Sequence, residues 1–192
     1  MCNKFYLVKK ILDNLFGKHI LIVIPKSQFC EEELNGIRNI LQQGGANVVV
    51  LSKSGQEARG MNKEKFKPDG MIIDWDKQKR VKNKYHAVIL VGGKGAKKSL
   101  WDDPIVPQIL TDHYRFGSII GAMGTAIVVL VRAYLVKGEV PKPDDYDTYK
   151  ELEKLNVVFV DAPIKKFEKV VLGKGGNSVD QFSRTIVALL EE

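Results

Sequence analysis

The stretch Tyr85-His86-Ala87-Val88-Ile89-Leu90-Val91-Gly92-Gly93-Lys94-Gly95-Ala96 decides how this chain folds. Ala87 to Val91 is an apolar run with no polar interruption. A strand with one wet face would alternate, whereas a continuous Val/Ile/Leu run belongs to a strand buried on both faces, the habit of parallel sheets. The glycines that follow end the run sharply. They can present bare backbone N–H groups to an anion where a helix begins.

The same texture recurs at 20–24, 48–51, 71–73, 118–120, 157–160 and 170–172. Helical periodicity fills most of the gaps. The segment 32–43 carries Leu34, Ile37, Ile40 and Leu41 and stops at Gly44-Gly45. Further helices are predicted over 104–116, 125–137, 144–156 and 179–192, with a loop over 138–147 around Pro141 and Pro143. Strand alternating with helix predicts an α/β protein: a three-layer α/β/α sandwich on a doubly wound, mostly parallel sheet. Residues 1–17 read as a separate amphipathic helix ended by Gly17, with Phe5, Val8, Ile11, Leu12, Leu15 and Phe16 at helical spacing. Its apolar stripe must bury on the domain's own flank or against a partner. The α/β domain proper is expected over 18–192.

The 192 residues are 44% apolar and 28% charged, which fits one globular domain and excludes a disordered chain. Thirty Lys+Arg against 23 Asp+Glu give +7, spread along the sequence. The basic connection 77–84 has no interleaved aromatic and reads as a solvated link, not a nucleic-acid surface. Cys2 and Cys30 cannot make a disulfide framework, so a reduced, cytoplasmic setting is expected. No apolar run reaches the roughly eighteen residues of a membrane span. Lys4, Lys9 and Lys10 interrupt any signal-peptide core.

Two nucleotide motifs nearly fit and fail. A phosphate loop ending at Lys98-Ser99 needs glycine where Lys97 stands, and a dinucleotide fingerprint needs glycine where Lys98 stands. No cofactor is expected. His19, His86 and His113 have no metal-ligand spacing and read as surface or helix-end residues, so no metal is expected. Gly121-Ala122-Met123-Gly124, between a strand and a buried helix, has the composition of a nucleophile elbow. Such a turn exposes its tip over a helix N-terminus, where a thiol would be activated. The tip falls on Ala122 or Met123, and neither is a nucleophile.

Four stretches in this order resemble the ThiJ/PfpI superfamily, over about residues 18–192. They are Ile20–Ile24 with Phe29-Cys30-Glu31-Glu32-Glu33-Leu34, then Tyr85–Ala96, then Ile120-Gly121-Ala122-Met123-Gly124-Thr125-Ala126, and last Gly173–Phe182. The resemblance implies a flavodoxin-like sheet, a homodimer or larger homo-oligomer, and a site at Glu33, Gly92, Gly93 and the elbow. Ala122 stands where the family's reactive cysteine stands, and Met123 where its histidine stands. Glu33 matches the glutamate that contacts the cysteine, and Gly92 and Gly93 match backbone oxyanion donors that, with Met123, would line a ligand site. The related class I glutamine amidotransferases fit less well, since no His-x-Glu pair follows in the last third.

Alanine cannot form a covalent intermediate and methionine cannot exchange protons. The expected function is therefore a non-catalytic family member: a binding, regulatory or structural homo-oligomer with an unidentified small-molecule ligand. The alternative is a hydrolase, peptidase or deglycase using a relocated nucleophile, Cys30, although three neighbouring glutamates would raise its pKa. An Ala122→Cys change is expected to create a reactive thiol in an intact elbow.

Overall fold

A computed structural model describes residues 14–78 and 84–192. In chain order the elements are β1 (His19–Ile24), α1 (Glu31–Gln43), β2 (Asn47–Ser52), a small hairpin of β3 (Ala58–Arg59) and β4 (Lys65–Phe66), β5 (Gly70–Met71) and β6 (Ala87–Leu90). There follow α2 (Ala96–Ser99), α3 (Val106–Phe116), β7 (Ile119–Met123), α4 (Ile127–Arg132), β8 (Glu139–Pro141) and α5 (Tyr146–Lys154). β9 (Val158–Val160), β10 (Ile164–Phe167), β11 (Val170–Gly173) and α6 (Val179–Glu191) complete it. The seven-stranded sheet has the order β10-β11-β7-β6-β1-β2-β5. Every pairing in it is parallel except β10 with β11.

The pleat sorts each strand's apolar residues into two cores. Ile20, Ile22 and Ile24 of β1 join Ile89, Met123 and Val171 beneath Leu34, Ile37 and Leu41 of α1 and Phe182 and Ile186 of α6. Leu21, Val23, Val88, Leu90, Ile120 and Ala122 face the other way, with Val106, Ile109 and Leu110 of α3 and Ile127 to Val131. This is the expected three-layer arrangement. Gly121 faces α6, where a Cβ would stand 2.8 Å from the Phe182 ring.

Several expected elements differ. The strand at 71–73 is only Gly70–Met71; Ile72–Lys77 winds into a 3₁₀ turn and leaves Ile73 exposed. Asp69 exchanges both backbone and carboxylate hydrogen bonds with Val50, pinning the chain before it leaves the sheet. The helix expected over 125–137 is confined to α4, because Gly124–Ala126 is a 3₁₀ turn and Tyr134 adopts φ +58°. The apolar run at 157–160 is not a central strand: β9 pairs with β8, which forms within the expected loop, and Val158 is 57% exposed. β10, Ile-Lys-Lys-Phe, has no apolar run to announce it and takes the sheet edge, where lysines are usual.

Of the amphipathic helix expected over residues 1–17, residues 1–13 lie outside the described residues. Asn14–Gly17 is a turn, and Leu15 is wholly buried, its N–H bonded to the Gly44 carbonyl at 2.8 Å. Most of the basic connection 77–84 also lies outside the description; Lys77 pairs with Asp74, and Lys84 pairs with Asp112 and sits over the Trp75 ring.

Candidate functional site

In an open parallel sheet the crevice beyond the strands' carboxyl ends is where ligands bind. Here β1, β6, β7 and β11 bring their carboxyl ends together, each followed by a tight turn. The start of α1 sets Glu33 among those turns. Glu33 is 3% exposed, and its Oε2 accepts the Gly92 N–H at 2.7 Å. Burial raises its pKa to about 7, against the Gly92 N–H and the Cys30 thiol, which favour the carboxylate.

The tip of the elbow is Gly124. It alone between β7 and α4 has a left-handed backbone, φ +48°, and a Cβ built there would lie 3.0 Å from Glu33 Oε1. A side chain at 124 would therefore address the buried carboxyl, and this chain has none. Gly175, φ +106°, brings a third turn to the same oxygen, its would-be Cβ at 3.2 Å.

Ala122 and Met123 are not at the tip. Ala122 lies within β7, in register with Leu90 and Leu172, and its side chain is fully buried in the core beneath α3 and α4. Met123, also fully buried, points the opposite way and packs over Gly173 beside Phe182. The expectation that either residue occupies the exposed position is corrected by the pleat: both still belong to a paired strand, and the chain turns one residue later. The expected activation by a helix N-terminus is weakened too, because α4 has only six residues and begins after a 3₁₀ turn.

Gly92 and Gly93 are at the site, but their donors are taken. The Gly92 N–H is bonded to Glu33, and the Gly93 N–H to Thr125 Oγ1 at 2.9 Å; that hydroxyl donates back to the Gly93 carbonyl at 2.9 Å. An oxyanion would have to displace both partners. Gly92 also admits no side chain, since a Cβ would stand 2.7 Å from the Met123 carbonyl.

Cys30 is beside Glu33, at the cap of α1, with its N–H bonded to the Gly92 carbonyl at 3.0 Å. Burial and then the Glu33 carboxylate push its thiol up to about 11. Such a group is a thiol, not a thiolate, at neutral pH. Next to Gly93 and Thr125 opens a cavity of 260 Å³, walled by Lys94, Lys97, Trp101 and Asp147. Lys97 and Asp147 pair across it at 2.8 Å, and the Trp101 indole donates to the Thr125 carbonyl at 2.8 Å. Arg132 ties this wall together by bonding Asp102 at 2.7 Å and Glu151 at 2.6 Å.

Gly124, Thr125 and Gly175 were not singled out from the sequence. The usable signal was the positive φ that an elbow tip demands, which favours glycine over alanine or methionine. Among the described residues no group of three His, Cys, Asp or Glu side chains is placed to hold a metal ion. His113 is at a helix end and fully buried against the Trp75 and Tyr85 rings; His19 and His86 stack at the amino-terminal ends of the central strands β1 and β6.

The model of the DJ-1/PfpI family matches residues 18–189, and the chain belongs to that family. It is 25% identical over 184 residues to an uncharacterised protein of Methanocaldococcus jannaschii, covering 94% of this chain and 86% of that one. It is 25% identical over 175 residues to a glutathione-independent glyoxalase of Caenorhabditis elegans, covering 91% and 89%. Among solved structures, a ThiJ/PfpI domain protein from Brachyspira murdochii superposes with a TM-score of 0.78 at 21% identity, covering 91% of this chain and 98% of that one. Drosophila melanogaster DJ-1beta gives 0.75 at 20% identity, covering 91% of each chain. These structures share the fold. No helix among the described residues is long and apolar enough to cross a membrane.

Proposed function

We propose that this chain is a non-catalytic member of the DJ-1/PfpI family that binds a small polar molecule in the cavity beside Gly93 and Thr125. The observation that carries this reading is Gly124. The elbow-tip position, whose side chain would meet Glu33, has no side chain, so no covalent intermediate can form at it. The occupied donors of Gly92 and Gly93 support it, because a catalytic oxyanion hole is held open for developing charge. Lys94, Lys97 and Asp147 suit a ligand bearing charge or strong hydrogen-bonding groups. We further propose that the protein works as a homo-oligomer. Phe116, Tyr134, Tyr146 and Val158 are large apolar residues left exposed on the described surface.

The competing reading is thiol chemistry at Cys30, and its location beside Glu33 favours it. The C. elegans relative is named as a glyoxalase, which makes methylglyoxal the substrate to try first. The raised Cys30 pKa opposes this reading. The test is turnover of methylglyoxal and of a p-nitrophenyl ester by wild type, Cys30→Ser and Glu33→Gln. Rates equal to buffer for all three are expected. A wild-type rate abolished by Cys30→Ser would establish the competing reading.

A further inference from the structure

The described residues line a larger, open cavity, of 660 Å³, at the amino-terminal ends of the central strands. It lies where β1, β6 and β7 begin, while the elbow lies where β6 and β7 end. The two are a strand length apart, roughly 15 Å. We propose that this second cavity is a binding site for a small phosphate-bearing anion, held by His19, His86, Lys18, Lys84 and Lys169.

The histidines carry the argument. They head the adjacent parallel strands β1 and β6, so their rings stack, with centroids 6.0 Å apart and planes 27° from parallel. The His19 backbone N–H donates to His86 Nδ1 at 2.9 Å. The Asn47 amide nitrogen lies 2.9 Å from His19 Nδ1 and, as an NH₂ group, donates to it. Both δ nitrogens are thus acceptors, which puts the proton of each neutral ring on Nε2. Two N–H donors are therefore fixed side by side by the chain itself, in a cavity they both line. Neither needs a ligand to set its tautomer.

The charges agree. Three lysines line the cavity against one acid, Glu192, and the two neutral histidines add N–H donors. Lys84 is also paired with Asp112, and Lys169 donates to the Gly117 carbonyl at 2.7 Å, so both are held in place at the wall. Burial disfavours protonation of His86, and the nearby Lys18 charge acts the same way. The lysines outnumber the acid in the cavity wall, and an anion balances that excess. Phosphate suits the geometry because its several oxygens can accept from both Nε2–H groups and from lysine together. The cavity is larger than inorganic phosphate alone, which leaves room for an attached organic group.

The experiment follows the imidazole ¹⁵N signals of the full-length protein by NMR during titration with inorganic phosphate, with phenyl phosphate, and with sodium chloride at matched ionic strength. Saturable shifts of His19 and His86 Nε2 with the phosphates, and not with chloride, are expected. The Gly92 and Gly124 amides should stay unmoved, which separates this site from the elbow. Tighter binding of the ester identifies a phosphorylated small molecule as the ligand class, and equal binding identifies free phosphate. Lys18→Ala with Lys169→Ala should weaken binding about tenfold or more. Because Lys169 also caps a carbonyl, Lys18→Ala alone is measured as well, and a dispersed spectrum confirms the fold of each variant. Shifts that do not saturate, that chloride reproduces, or that survive unchanged in the lysine variants would overturn the proposal.

Discussion

Glu33→Gln isolates the cost of keeping a carboxyl buried at the centre of the site. Burial raises the pKa of this carboxyl from its ordinary value of 4.5 to about 7 in the folded chain. The folded pKa is raised, so between those values the native state holds a proton that the unfolded state has lost. Stability therefore falls as pH rises through this window and is flat, for this group, on either side. The gap corresponds to about 3 kcal/mol, fully expressed above pH 7. Glutamine does not titrate, and its amide oxygen can still accept the Gly92 N–H, which removes the penalty while keeping the bond. The assay is urea unfolding of wild type and Glu33→Gln across about pH 4 to about pH 9, with the stability difference plotted against pH. Groups common to both proteins cancel in that difference. The variant should gain on wild type from pH 4.5 upward and level off above about 7. A difference independent of pH would mean that the carboxyl is solvated or paired in the native state. A difference that grew on acidification would reverse the sign of the argument.

Three further substitutions probe the elbow and the sheet. Gly124→Cys, in a background lacking Cys2 and Cys30, should be alkylated readily, at a cost of about 1–2 kcal/mol for a side chain in the left-handed region; Ala122→Cys in the same background should resist the reagent, and faster labelling at 122 would return the tip to that residue. Gly121→Ala should destabilise by about 1–3 kcal/mol, because its methyl would meet the Phe182 ring at 2.8 Å in a packed core, and a thermal melt that is unchanged would show that α6 can withdraw.

The positions of the glycines in the site show how far one-dimensional reasoning reaches. Gly92 and Gly93 stand out in the sequence because they end a continuous apolar run, and a turn at the end of a buried strand is a local event. Glu33 was legible only through the resemblance, since nothing in Glu31-Glu32-Glu33 by itself says which carboxyl turns inward. The elbow failed by one or two residues. Ala122 and Met123 are as apolar as the strand before them, and only the pairing with β11, which runs to Gly173 opposite Met123, shows that the strand continues through both.

By itself the sequence determined the parallel sheet and its two covering layers. Continuous Val/Ile runs separated by amphipathic segments have few other ways to bury both strand faces. It also determined that no cysteine stands at the elbow tip, because no residue from Gly121 to Ala126 is one. Tertiary structure alone decided which residue occupies that position, that Thr125 and Glu33 fill the Gly93 and Gly92 donors, and that two distant histidines share one cavity. These facts depend on strand register and on turns meeting from residues 33, 92, 124 and 175. Contacts between residues so far apart in the chain are set by the packing of the whole sheet, and no local pattern encodes them.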